Sequence, residues 1–330
     1  MRPLAAVGVV VAGIFVISLL ERPDRPELRS PGGPQLVSVE ELPASGDYCE
    51  PGYDALSKQA NLFETFGEAS VYAASQNSGQ TGFINRPPTR TIQDLDPIYS
   101  SVAVDEENQE LYVGVQHPPQ VAVYRKGASG DEKPLRSLQG ESTRLSDVHG
   151  IVLDQKNKLM VVTNWGHVSD SSIAGTGRFE EPSISVYPMG AAGDVAPLRF
   201  IQGSLTQLNW PAQMSLDPDN GDIYVANDIG HSVLVFKETD KGNAAPARII
   251  KGSLTGLLNP SGVFVDSKHQ ELWVANFGNA SAVVYPLNAN GNVAPIRTIR
   301  SAPEGKVSLK FGKVEALAYD SRRDQIWVPN

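Results

Sequence analysis

The chain has 330 residues, 41% apolar and 20% charged, with a formal net charge of −9, which is ample for a buried core and excludes global disorder. No lysine- or arginine-rich run occurs, so no nucleic-acid partner is expected, since that needs a basic face. One cysteine, Cys49, excludes an intramolecular disulfide and every multi-cysteine metal framework.

In chain order, the first element is the apolar run Leu4–Leu20, preceded by Arg2 and followed by Glu21-Arg22-Pro23-Asp24-Arg25. At about 1.5 Å per residue it spans roughly 26 Å, enough for one transmembrane helix. No A-x-A-like cleavage site follows it, so the reading is an uncleaved signal anchor over 1–20, with a cleaved secretion signal as the alternative. The membrane is thus an expected partner, and the remainder is placed outside the cytoplasm. Residues 21–68 read as a largely irregular tether.

From residue 69 onward the chain repeats. The segments 140–154, 203–217 and 252–266 stack by eye, each ending in an apolar run closed by aspartate. The closing residues Asp105, Asp154, Asp217, Asp266 and Asp320 are 49, 63, 49 and 54 residues apart. After each comes a polar turn and a second β-rich segment, such as Ile223-Tyr224-Val225-Ala226-Asn227. A third such as Val233-Leu234-Val235-Phe236 and a fourth such as Pro246-Ala247-Arg248-Ile249-Ile250 complete the unit. Four short strands per period of about 49, rich in β-branched and aromatic residues, predict an all-β propeller with four-stranded antiparallel blades. The first strands are apolar at nearly every position, which predicts burial on both faces near the hub. Five blades are counted and six are possible. The fifth unit reaches only its second strand, and the stretches 70–72 and 89–92 are expected to complete it, closing the ring over 69–330.

The x-x-P-x-G-[VI]-x-[VL]-D opening and the [LI]-[WY]-V-A-N second strand resemble NHL-type and YVTN-type β-propellers over roughly residues 70–330. The resemblance implies fold rather than activity, because such propellers serve as binding scaffolds, lactonases and lyases. The gluconolactonase-like relatives place one glutamate and two or three Asn/Asp residues on a metal, which Glu315 and Asn227 or Asn276 match loosely.

Blade geometry puts the start of strand 1 and the strand 2–3 loop on one mouth of the channel. Ser100, His149, Ala212, Ser261 and Glu315 should ring that mouth, joined by His117, Trp165, His167, Asp228 and His231, while His269 falls on the far face. Asn164, Asn227, Asn276 and Asn330 recur at the end of the second strand and are expected to cap or bend the chain there. His149 and Glu315 break the repeat and are the candidate ligands of a divalent metal, or a base and its orienter, with His167 or Asp228 completing the set. An insertion of about 14 residues, roughly Trp165–Pro182, projects from the same mouth, with Arg178, Phe179, Glu180 and Glu181 as contact residues. Asp217–Asp222 alternates carboxylates but lacks the bidentate glutamate of a calcium loop. No P-loop, GxSxG or HExxH motif occurs. The expectation is a membrane-tethered scaffold that binds a protein or small ligand, with no certain cofactor; a metal-dependent hydrolase or lyase is the alternative.

Overall fold

The computed structural model describes residues 88–93, 99–168, 177–300, 314–320 and 323–328. The expected anchor helix, the tether and the strand at 70–72 lie outside the described residues. Among these, no helix is long and apolar enough to cross a membrane.

The structure is all-β. The first blade is a four-stranded antiparallel sheet of β1 (Tyr99–Asp105), β2 (Glu110–Val115), β3 (Gln120–Arg125) and β4 (Arg136–Leu138). The second holds β5 (Val148–Asp154) and β6 (Leu159–Asn164). A small hairpin of β7 (His167–Val168) and β8 (Arg178–Phe179) then interrupts it before β9 (Ser183–Pro188) and β10 (Arg199–Gln202) complete the sheet. The third runs β11 (Pro211–Leu216), β12 (Asp222–Asn227), β13 (Ser232–Lys237), β14 (Arg248–Lys251), and the fourth β15 (Pro260–Asp266), β16 (Glu271–Asn276), β17 (Ser281–Pro286), β18 (Arg297–Ile299). A fifth unit contributes β19 (Ala318–Asp320) and β20 (Gln325–Trp327). The described residues therefore hold four complete blades and two strands of a fifth.

The innermost strands pack in series, β1 on β5, β5 on β11 and β11 on β15, as blades do around a hub. Side-chain hydroxyls near this hub reach the next blade: Thr163 Oγ1 donates to the Ala212 carbonyl at 2.6 Å and Ser261 Oγ to the Val314 carbonyl at 2.8 Å. A Cβ on Gly262 would lie 3.0 Å from the Glu315 carbonyl oxygen, so a glycine there admits the close approach of the fifth unit. Outer strands are clasped in parallel by the glycine turn of the following blade, at Leu138 with Gly193, Ile201 with Gly242 and Ile250 with Gly291. Ile92 bridges Gly130 in the same way, so residues 91–93 stand where the outer strand of a preceding blade would stand.

The expectation of first strands buried on both faces needs correcting in blade one. Val102 and Val104 are 65% and 42% exposed, and Val102 opens onto a cavity of about 350 Å³ lined also by Ile92, Val113 and Tyr124. This face has no inner strand packed on it among the described residues, whereas β5 and β11 each have an inner strand on both sides.

Two recurring residues acquire a reason. The closing aspartates accept turn amides: Asp105 Oδ1 from Glu107 and Asn108, and Asp154 Oδ1 from Lys156 and Asn157, the Asx geometry that tightens a hairpin. In the first and third blades the arginine of the fourth strand clamps the second strand of its own blade and the loop of the next. Arg136 pairs bidentately with Glu110 at 2.6 and 2.7 Å and donates to Tyr112 Oη and the Met189 carbonyl. Arg248 meets Tyr224 Oη at 2.6 Å and the Leu287 carbonyl at 2.9 Å.

The hydrogen-bonded Arg136 guanidinium holds the Glu110 carboxyl below its usual range. A carboxyl depressed on folding contributes stability above its unfolded pKa and loses it as pH falls through the folded one. Glu110→Gln is therefore expected to cost about 1–2 kcal/mol near pH 7. The gap between the variant and the parent should close as pH falls below about 4, measured by denaturant midpoints; a gap that persists into acid would refute the assignment.

Candidate functional site

Five residues at one repeat position and four at another build the mouth. Ser100, His149, Ala212 and Ser261, each at the start of an inner strand, and Glu315, three residues before β19, line a cavity of about 370 Å³. Gln116, Trp165, Asp228 and Phe277, the residues that follow β2, β6, β12 and β16, line it with them. The ring expected from the repeat is thus assembled in one place, and a second ring of equivalent residues stands beside it.

The backbone that carries these rings is the same from blade to blade. Asp147, Trp210 and Asn259, each two residues before a first-ring position, have left-handed φ values of 53°, 54° and 48°. Their carbonyls accept the amides of the second-ring residues Trp165, Asp228 and Phe277 at 3.0–3.1 Å. The recurring asparagines fix the loop beneath. Asn227 Oδ1 accepts the Asn209 amide at 2.7 Å and its Nδ2 donates to Ser232 Oγ; Asn276 repeats this with Leu258 and Ser281. Both asparagines are buried. This spends the side chains that the lactonase resemblance would put on a metal, and it corrects that part of the match.

The chemistry of the mouth is aromatic and acidic. The Trp165 ring stacks on His149 with centroids 3.3 Å apart and planes 3° from parallel, and Trp210 leans against Trp165 at 4.4 Å. His149 Nε2 is contacted by the Gln116 side-chain amide and lies 3.3 Å from Asp147 Oδ1. Asp228 is buried, accepts Asn259 Nδ2 at 2.7 Å, and is pushed above the usual carboxylate range by burial. Glu315 is exposed at the rim. None of the residues lining this cavity is lysine or arginine.

The inserted hairpin sits beside the mouth. The Glu180 amide donates to the Gly166 carbonyl at 2.6 Å, His167 stacks on Phe179 at 4.9 Å, and His117 meets His167 edge-on at 4.9 Å. Phe179 is 80% exposed, and Arg178 pairs with Glu180 at 3.2 Å. Burial holds the His117 imidazole below its ordinary pKa. Residues 169–176, at the centre of the insertion, lie outside the described residues.

The sequence-derived candidates therefore divide. His149, Trp165, Asp228 and Glu315 share the cavity, whereas His167, Arg178 and Phe179 belong to the hairpin. His149 and Glu315 line one cavity, but the histidine and carboxylate side chains whose ligand atoms converge among the described residues are His117, Asp147 and His167. Sequence reasoning missed Asp147, Trp210 and the second ring as a ring. The signal was available in the residue following each second-strand asparagine.

A wider cavity of about 600 Å³ opens on the far face, lined by Asp154, Asp217, Asp266 and Tyr319 among others. Three of its aspartates are engaged in their own turns: Asp154 accepts from Lys156 and Asn157, Asp217 from Asp219 and Asn220, and Asp266 from the amide of His269 and contacts its ring. The calcium-like stretch is built into a hairpin, with Asp222 paired to Lys237 at 2.6 Å.

No family model and no curated protein matches the sequence. Among solved structures, the chain is similar to a functionally unknown protein from Desulfotomaculum acetoxidans, with 11% identity, TM-score 0.48, and coverage of 70% of this chain and 62% of that one. It is also similar to the β-propeller domain of Cps50 (Swd1) from Myceliophteria thermophila, with 10% identity, TM-score 0.46, and coverage of 73% and 63%. This chain spans less than two-thirds of either structure. Neither likeness assigns an activity.

Proposed function

We propose that the chain is an NHL-like binding propeller that takes a cationic group of a protein partner at the Trp165 mouth. The observation that carries the reading is the composition of the cavity wall: Trp165 and Phe277 stand with Asp228 and Glu315, and no lysine or arginine lines it. Aromatic faces and carboxylates both attract a guanidinium or ammonium. Arrival of a cation also relieves Asp228, whose burial disfavours its charged form. The exposed Phe179 ring at the hairpin offers an apolar anchor next to that cavity. Five blades closed by residues from both ends of the chain, and a hydrophobic anchor over 4–20 that holds the propeller outside the cytoplasm, complete the proposal.

The test uses the purified full-length chain in detergent, titrated with short arginine- or lysine-bearing peptides and read by tryptophan fluorescence. Saturable binding is expected, weakened about 5- to 30-fold by Glu315→Gln and abolished by Trp165→Ala. Equal binding of peptides in which citrulline or norleucine replaces the basic residues would sink the cationic reading. Protease accessibility of the propeller in sealed cells tests its side of the membrane; protection of the propeller until the membrane is opened would remove that part of the proposal.

A further inference from the structure

We infer that His117, Asp147 and His167 form a binding site for one divalent transition-metal ion of the zinc type, separate from the cavity. Each residue offers one ligand atom, and these atoms all lie within 4.8 Å of one another. They arrive from three separate segments: the β2–β3 loop of the first blade, the left-handed residue that precedes β5, and the inserted hairpin. Nothing in the repeat requires this convergence, because the hairpin is the part of the chain that departs from the repeat.

Asp147 supplies the independent sign of a missing ligand. Its side chain is only 9% exposed, and its Oδ1 accepts no hydrogen bond. His149 Nε2, 3.3 Å from that oxygen, is also contacted by the Gln116 side-chain amide, and no hydrogen bond joins it to Asp147. A buried carboxylate oxygen without a donor is costly, and a cation is one remedy. Two imidazoles and one carboxylate suit a borderline cation such as Zn²⁺ rather than Ca²⁺ or Mg²⁺, which prefer all-oxygen shells. At a tetrahedral centre with bonds of about 2.0–2.1 Å, ligand atoms stand about 3.4 Å apart. The three side chains therefore have to close by at most about 1.4 Å, a distance within reach of side-chain torsions. Three protein ligands leave one position for water or for a group of a bound partner.

Bound metal ties the hairpin to two blades at once. Because Phe179 stacks on His167, the ion also sets where that exposed ring stands.

The experiment measures Zn²⁺ binding to the purified full-length chain by metal analysis after dialysis, with Co²⁺ substitution read by its visible absorption. One equivalent is expected, with the intense visible bands of a four-coordinate site. Asp147→Asn, which keeps the side-chain shape, and His167→Ala should each weaken binding by more than about 100-fold, while His269→Ala on the far face leaves it intact. Circular dichroism verifies that each variant is folded, and the Co²⁺ spectrum of the parent stands if one is not. Absence of stoichiometric metal in the parent overturns the inference. So does retention of metal by folded Asp147→Asn and His167→Ala, or its loss in Glu315→Gln alone, which would move the ion into the cavity.

Discussion

Phe236→Ala is expected to destabilise the propeller by about 3–5 kcal/mol, the range for emptying a fully buried aromatic site. Phe236 is 0% exposed and pairs with Ile223 across β12 and β13. Its cluster joins Val161, Ile184, Val186 and Ile201 of the second blade to Met214, Ile223, Val225 and Leu234 of the third. The void therefore opens between two sheets, where neither sheet alone can collapse into it. Equilibrium unfolding in guanidinium, compared with Phe236→Leu as the milder truncation, checks this. A loss below about 1 kcal/mol with an unchanged denaturant slope would show that the sheets do not depend on that contact.

Gly166→Ala is expected to release the inserted hairpin while leaving the blades standing. Gly166 has φ of 106°, and a Cβ there would lie 2.0 Å from the Glu180 carbonyl oxygen. The same pair of residues holds the hairpin base through the Glu180 amide. An alanine meets both a disfavoured backbone and a backbone clash, at a cost of about 2–4 kcal/mol. That cost is met most cheaply by detaching β7 and β8. Hydrogen exchange should rise at residues 166–168 and 178–180 and stay unchanged in β12 and β16. Zinc affinity should fall along with it, since His167 moves with the hairpin. Unchanged exchange at Glu180 would show that the two segments are not coupled as described.

The parts of this architecture that repeat were legible, because a period near 49 aligns residues that do the same work. The first ring was found by counting back from the closing aspartates to Ser100, His149, Ala212, Ser261 and Glu315, all of which line the cavity. Asn164, Asn227 and Asn276 were read as capping residues, and each accepts a loop amide. What counting could not reach is contact between segments with unrelated spacing. His117, Asp147 and His167 are 30 and 20 residues apart in sequence, match no ligand motif, and meet only because adjacent blades present their loops to one mouth. The openness of Val102 and Val104 was hidden for a related reason: an apolar strand has the same composition whether or not a neighbour covers it.

The left-handed residues at 147, 210 and 259 separate what the mouth is made of from what holds it up. Their carbonyls each hold the amide of a second-ring residue by a main-chain bond, and one position carries aspartate, tryptophan and asparagine with its backbone angle nearly unchanged. Fold and recognition are thus nearly independent variables here, and the two rings behave as interchangeable letters on a fixed frame. A library randomised at Gln116, His149, Trp165, Asp228 and Phe277 should yield folded variants at high frequency and new ligand preferences among them. The same property lets descendants of one ancestral chain diverge in what they bind through substitutions at the rims, with little demand for compensating change in the blades.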